Sequence, residues 1–100
     1  MNIFNFEIPT SGELFNTLFK SKNIEITQIV SSDKLEPKEY NQDKDEFVVL
    51  LEGEATLEIE GRVQNLQKGD YLHIPAYTKH KVLNTSKGAL WLAIHFDTNN

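Results

Sequence analysis

Three histidines, His73, His80 and His95, a run of carboxylates ending at Glu46, and a complete absence of cysteine set the chemistry open to this chain. Without thiolates there is no disulfide framework, no thiolate zinc site and no cysteine nucleophile, so acid–base work and metal ligation fall to imidazole and carboxylate. The stretch from Asp33 to Glu46 holds six carboxylates against Lys34, Lys38 and Lys44, and most of it reads as a solvated loop. Glu46 differs because Phe47-Val48-Val49-Leu50-Leu51 follows it directly. Burial raises the pKa of a carboxylate carried into such a strand unless a cation or a hydrogen-bond donor compensates. A Glu–His pair in apolar surroundings is also a pairing that general acid–base sites use. No serine nucleophile arrangement, phosphate loop or dinucleotide fingerprint accompanies these residues.

The elements that must position them are mostly strands. Thr10 followed by Glu13 reads as a capping box, and Leu14, Phe15, Leu18 and Phe19 recur at helical spacing, which predicts one short helix over residues 12–20. Its apolar stripe would cover the outside of a sheet or an exposed sheet edge. From Ile24 the period changes to two, with Ile24, Ile26, Gln28 and Val30 on one face of a strand. Residues 47–51 are apolar on both faces, as in a strand covered on both sides. Ala55, Leu57 and Ile59 then alternate with Glu54, Thr56, Glu58 and Glu60, the pattern of a strand with one wet face. Gly53, Gly61 and Gly69 recur every eight residues, the turn spacing of an antiparallel sandwich or barrel, and further strands are expected near 63–66, 71–74, 80–84 and 89–96. In the last strand His95 shares a face with Trp91 and Ala93, opposite Leu90, Leu92, Ile94 and Phe96. The alternation leaves open which of those faces lines the interior.

One hundred residues match a single domain of common size. The division expected is an N-terminal segment with its helix over 1–22, packing on a barrel over 23–98. A net charge of -5 with no basic cluster disfavours nucleic acid, and no run approaches the length of a membrane span. The start of the chain lacks the basic and apolar regions of a secretion signal, so a soluble, cytoplasmic protein is expected.

The segment Gly69-Asp70-Tyr71-Leu72-His73-Ile74-Pro75-Ala76-Tyr77-Thr78-Lys79-His80-Lys81-Val82-Leu83-Asn84 resembles the second conserved motif of the cupin superfamily. It has the Gly-Asp turn, the Ile-Pro ending a strand, a His five residues after the Pro and an Asn four residues after that His. Ala76-Tyr77 stands where many cupins have a residue and then Gly. Glu46, followed by Gly53, looks like the second half of the first cupin motif, and the resemblance runs from about Ile24 to Phe96. It implies an all-β, cupin-type double-stranded β-helix, a jelly-roll barrel with the one short N-terminal helix. Tyr40-Asn41-Gln42-Asp43 and Trp91-Leu92-Ala93-Ile94-His95-Phe96 also resemble a subgroup of small, largely uncharacterised single-domain cupins.

Cupins usually hold a metal with a His-x-His pair, the motif Glu and the later His. The last two are present as Glu46 and His80, whereas the pair is replaced by Tyr40 and Gln42, or by Glu39 and Asn41 in the alternative register. The resemblance thus implies a barrel pocket built on Tyr40, Gln42, Glu46, Tyr77, His80 and His95. It takes a small polar molecule, with room for a weakly held divalent metal (Fe, Mn, Zn or Ni) on Glu46 and His80 with Gln42 or His95. Tyr40 and Tyr77 read as rim residues whose phenols could also orient a ligand, His73 as structural or surface, and Trp91 as core or dimer contact. A metal-dependent enzyme of dioxygenase, isomerase or decarboxylase type and a non-catalytic interaction module are the alternatives, because this fold serves many functions. Cupins often pair sheets or exchange N-terminal strands, and Phe4 and Phe6 suit such a contact, so a homodimer is expected.

Overall fold

The computed structural model describes residues 1–97. Their nine strands are β1 (Glu13–Lys20), β2 (Ile24–Ser31), β3 (Glu39–Tyr40), β4 (Asp45–Glu52), β5 (Glu54–Ile59), β6 (Arg62–Gln67), β7 (Tyr71–Ile74), β8 (His80–Thr85) and β9 (Ala89–Phe96). They form a five-stranded sheet in the order β1-β2-β9-β4-β7 and a four-stranded sheet in the order β3-β8-β5-β6. Every pairing is antiparallel. Among the described residues no helix is long and apolar enough to cross a membrane. The expected barrel boundary at residue 98 lies outside the described residues.

The helix expected over 12–20 is instead strand β1, the edge of the larger sheet. Glu13 pairs with Ser31, Phe15 with Ile29 and Thr17 with Thr27, after which the register slips so that Phe19 pairs with Ile26. Leu18 is the extra residue of this bulge. A bulge restarts the two-residue alternation half a period late, so two apolar doublets four residues apart imitate helical spacing. The capping-box reading fails with it: Gly12, at φ 68, donates its N–H to Lys34 and accepts from Ser32, which feeds the chain straight into the strand.

The core lies between the sheets. Val48 and Leu50 from β4, Ala55 and Leu57 from β5, Ile74 from β7, and Trp91 and Ala93 from β9 pack there. Leu50 is fully buried, which stabilises the fold by about 2–3 kcal/mol relative to an exposed side chain. Gly53 turns β4 into β5 at φ 90, and a Cβ there would stand 2.6 Å from Ser86 Oγ and 3.0 Å from Ala89 Cα. Backbone conformation and space therefore both demand glycine.

The outer faces of the two sheets differ in kind. On the smaller sheet Glu54, Thr56, Glu58, Asn65 and Gln67 alternate with the buried residues and face water. On the larger sheet the register aligns Ile26, Ile94 and Phe47 in one row and Leu92, Val49 and Tyr71 in another, all on the side away from the core. The N-terminal segment covers part of this face, where Gln28 Nε2 donates to the Ile3 carbonyl at 2.7 Å. Elsewhere Phe47, Val49, Leu92 and Ile94 remain half-buried, and Phe19 and Tyr71 are exposed.

Candidate functional site

The inner face of the larger sheet and the strands β3 and β8 enclose a cavity of about 150 Å3. Ile29, Val48, Leu57, Ile74, Val82 and Trp91 form its apolar wall, and Glu13, Tyr40, Gln42, Glu46, His80 and His95 supply polar groups. Five of the six pocket residues expected from the sequence therefore meet at one place. The exception is Tyr77, which lies outside the cavity lining and is 72% exposed. It occupies φ 61, the left-handed region, and donates its N–H to the Gln42 carbonyl at 2.7 Å. Its backbone thus needs the conformation that glycine adopts freely.

Strand pairing delivers each side chain. Glu46 sits between Ile74 of β7 and His95 of β9, which settles the parity of the last strand: Trp91, Ala93 and His95 face inward. Tyr40 pairs with His80 across β3 and β8, and their rings stack with centroids 5.8 Å apart. The His80 Nδ1–H points at the Thr78 carbonyl, 2.9 Å away, so that Nε2 faces the interior.

Three donors converge on one carboxylate oxygen. Gln42 Nε2 donates to Glu46 Oε1 at 2.8 Å, while His95 Nε2 and His80 Nε2 stand 3.5 Å and 3.6 Å from the same atom. Burial alone would raise the Glu46 pKa. The imidazoles of His80 and His95, the charge of His95 and the Gln42 amide outweigh burial and bring it down to about 2. For His80 burial would lower the pKa, but Glu46 and the Thr78 carbonyl both favour the charged ring and raise it. The pair thus favours carboxylate facing imidazolium.

Such an arrangement does not suit the divalent metal implied by the cupin resemblance. Among the described residues no group of three or more His, Asp or Glu side chains is disposed to hold a metal ion. Glu46 Oε1 instead accepts from the Gln42 amide and faces both imidazoles, so the carboxylate is satisfied by side chains of the chain itself.

Glu13 and Phe15, both from β1, also line the cavity, and sequence reasoning missed them because the bulge concealed the strand. The signal available was their two-residue spacing. Ser31 donates from Oγ to Glu13 Oε2 at 2.5 Å and accepts from Trp91 Nε1 at 3.0 Å, so a relay through β9, β2 and β1 fixes the carboxylate. Burial, partly offset by the Ser31 bond and reinforced by the charge of Glu46, pushes the Glu13 pKa up. Burial and the charges of Glu13 and Glu46 raise that of Tyr40 as well. His73 lies on the outer face, its Nε2 2.6 Å from Asp45 Oδ2 and its side chain half exposed. Asp45 Oδ1 also accepts from the Ala76 N–H, tying β4 to the turn after β7.

Comparison with known proteins agrees with this architecture. Residues 28–95 match the family model described as Cupin domain. A protein from Ralstonia eutropha JMP134, described as a "putative mannose-6-phosphate isomerase", is 29% identical with a TM-score of 0.86, over 98% of this chain and 97% of its own. A cupin superfamily protein from Desulfitobacterium hafniense DCB-2 is 24% identical with a TM-score of 0.78, over 92% of this chain and 84% of its own. An RmlC-like cupin from Shewanella frigidimarina NCIMB 400 is 17% identical with a TM-score of 0.79, over 100% of this chain and 95% of its own. None of the curated proteins matches the chain.

Proposed function

The chain belongs to the cupin family, and from that premise we propose that its barrel cavity binds a small, partly polar organic molecule. The observation that carries this reading is the cavity itself, small but with an apolar wall and six polar side chains on its lining, the mixture that fixes and orients a small molecule. Glu46 offers an acceptor, Tyr40 a hydroxyl, and His80 and His95 ring nitrogens that can donate or accept. The enzymatic alternative uses the same residues, with the Glu46–His80 pair exchanging a proton with a bound substrate.

Titration of 15N-labelled protein with small polyols and amino alcohols tests the site. Shifts of amide resonances should concentrate on Glu46, His80, Trp91 and His95. Shifts scattered over the surface would contradict the reading. The metal alternative has its own check, elemental analysis of protein purified without chelator or affinity metal. Sub-stoichiometric metal, unchanged in a His80→Ala variant, is expected, and one equivalent per chain that disappears in the variant would restore the metal reading.

The reading extends to a homodimer, with a second copy covering the apolar outer face of the larger sheet. Five strands at about 4.8 Å spacing over about six residues span roughly 500 Å2, and because the N-terminal segment covers part of that face a pair would bury less than roughly 1,000 Å2, the small end for a specific interface. The exposed rows of that face carry almost no charge, so two copies of a chain with net charge -5 can meet there with little repulsion.

A further inference from the structure

Resting on the proposed ligand-binding role of the cavity, we infer that the occupant is a small organic cation, an amine with an apolar body, whose ammonium group sits against Glu13 while its hydrocarbon part packs on Phe15 and Trp91. The sign of the charge follows from the lining, which includes two carboxylates, Glu13 and Glu46, and neither Lys nor Arg. Lys34 and Lys38 line a neighbouring surface groove that Glu13, Phe15 and Tyr40 also border, and there Lys38 Nζ is placed over the Tyr40 ring, 5.5 Å from its centroid.

The two carboxylates are not equivalent. Glu46 has its own counter-charge in His80 and three donors around Oε1. Glu13 has one neutral donor, the Ser31 hydroxyl, and no cationic side chain among the described contacts that shape its carboxylate. A half-buried carboxylate held in this way gains most from a cation supplied from outside. The relay from Trp91 through Ser31 to Glu13 holds the acceptor in place before the ligand arrives, which reduces the ordering cost of binding. Phe15, Tyr40 and Trp91 add aromatic faces, which attract organic ammonium groups through the ring quadrupole. The same features disfavour a carboxylate or phosphate ligand, which would meet Glu13 and Glu46 with only the two imidazoles to compensate.

Three probes of nearly equal shape separate the possibilities: benzylamine, benzyl alcohol and benzoate, each titrated into the intact protein near neutral pH by calorimetry. Benzylamine should bind about tenfold or more tightly than benzyl alcohol, and benzoate more weakly than either. In Glu13→Gln the preference for benzylamine over benzyl alcohol should disappear while the affinity for the alcohol is kept. Preference for benzoate, or a cation preference that survives in Glu13→Gln, would overturn the inference and leave the binding cavity standing. If none of the three binds, the cavity reading fails and this inference with it. The ranking in the unaltered protein decides the sign of the charge even where the variant folds poorly.

Discussion

Glu46 carries an ionised carboxylate into a strand of Phe, Val and Leu, and it is tolerated there because two imidazoles and an amide face it. Its pKa of about 2 lies below the ordinary 4.5, so the stability it contributes is present above pH 4.5 and is lost as the pH falls toward 2. The contribution is on the order of 3 kcal/mol. His80 works in the opposite sense. Its pKa is raised above 6.5, so its contribution is complete below that pH and is lost as the pH rises through the raised value. The combined contribution of these two groups should therefore be greatest between about pH 4.5 and 6.5, their ordinary values, while the raised pKa of Glu13 works against stability as the pH climbs from 4.5. Chemical denaturation across pH checks this. Glu46→Gln should flatten the acid side, and NMR titration should show the His80 ring returning toward its ordinary value. An unshifted His80 in that variant would show that Glu46 is not its partner. Tyr77 supports a second prediction at this scale. Its φ of 61 strains a side chain by roughly 1–2 kcal/mol, and the greater freedom of glycine in the unfolded chain offsets part of the relief. Tyr77→Gly should stabilise the protein by up to about 1 kcal/mol in thermal unfolding, without change in ligand affinity. Tyr40, Gln42, Glu46 and His80 were legible in the sequence because motif spacing fixes their strand positions. Tyr77 was misplaced because spacing puts a residue near a site without saying where its side chain points.

Strands and turns were legible wherever a single period ran unbroken. The alternation of residues 54–60 appears as β5 with Ala55 and Leu57 buried, and the glycines fall at turns. The run 89–96 is β9 as expected, but its inward face could be assigned only when β2 and β4 were seen on either side. β1 was illegible for a specific reason: one inserted residue at Leu18 converts two half-strands into a pattern of helical appearance. That misreading hid Glu13 and Phe15, and with them one side of the cavity. The tightest constraint at this scale is the β4–β5 turn. Gly53→Ala adds a Cβ at φ 90 within 2.6 Å of Ser86 Oγ, and Ser86 Oγ also accepts the Glu54 N–H, so it cannot move without loss of that bond. A destabilisation of about 2 kcal/mol or more is expected in denaturant unfolding. A smaller loss would mean that the turn adjusts.

At the scale of the whole molecule the two sheets divide the work, one turning a polar face to water and the other an apolar one. The sequence already carried this asymmetry, since residues 47–51 are apolar on both faces, yet in the single chain only Val48 and Leu50 of that run are buried. The proposed second copy would supply the missing cover. Sedimentation should find a dimer that Phe47→Glu converts to a monomer, because a charge placed at such an interface must lose its hydration. A monomer at all concentrations in the unaltered protein would contradict the interface. The cavity between the sheets is the other property of the whole. Trp91, the only tryptophan in the chain, lies in its wall and reports on it directly. The decisive measurement is the emission of Trp91 as benzylamine is added, in the unaltered protein and in Val82→Phe, where a larger side chain from β8 fills the cavity. A saturable change in the first that is absent from the second is the predicted result. An emission that never changes, or that changes equally in both proteins, would contradict a ligand site in the barrel.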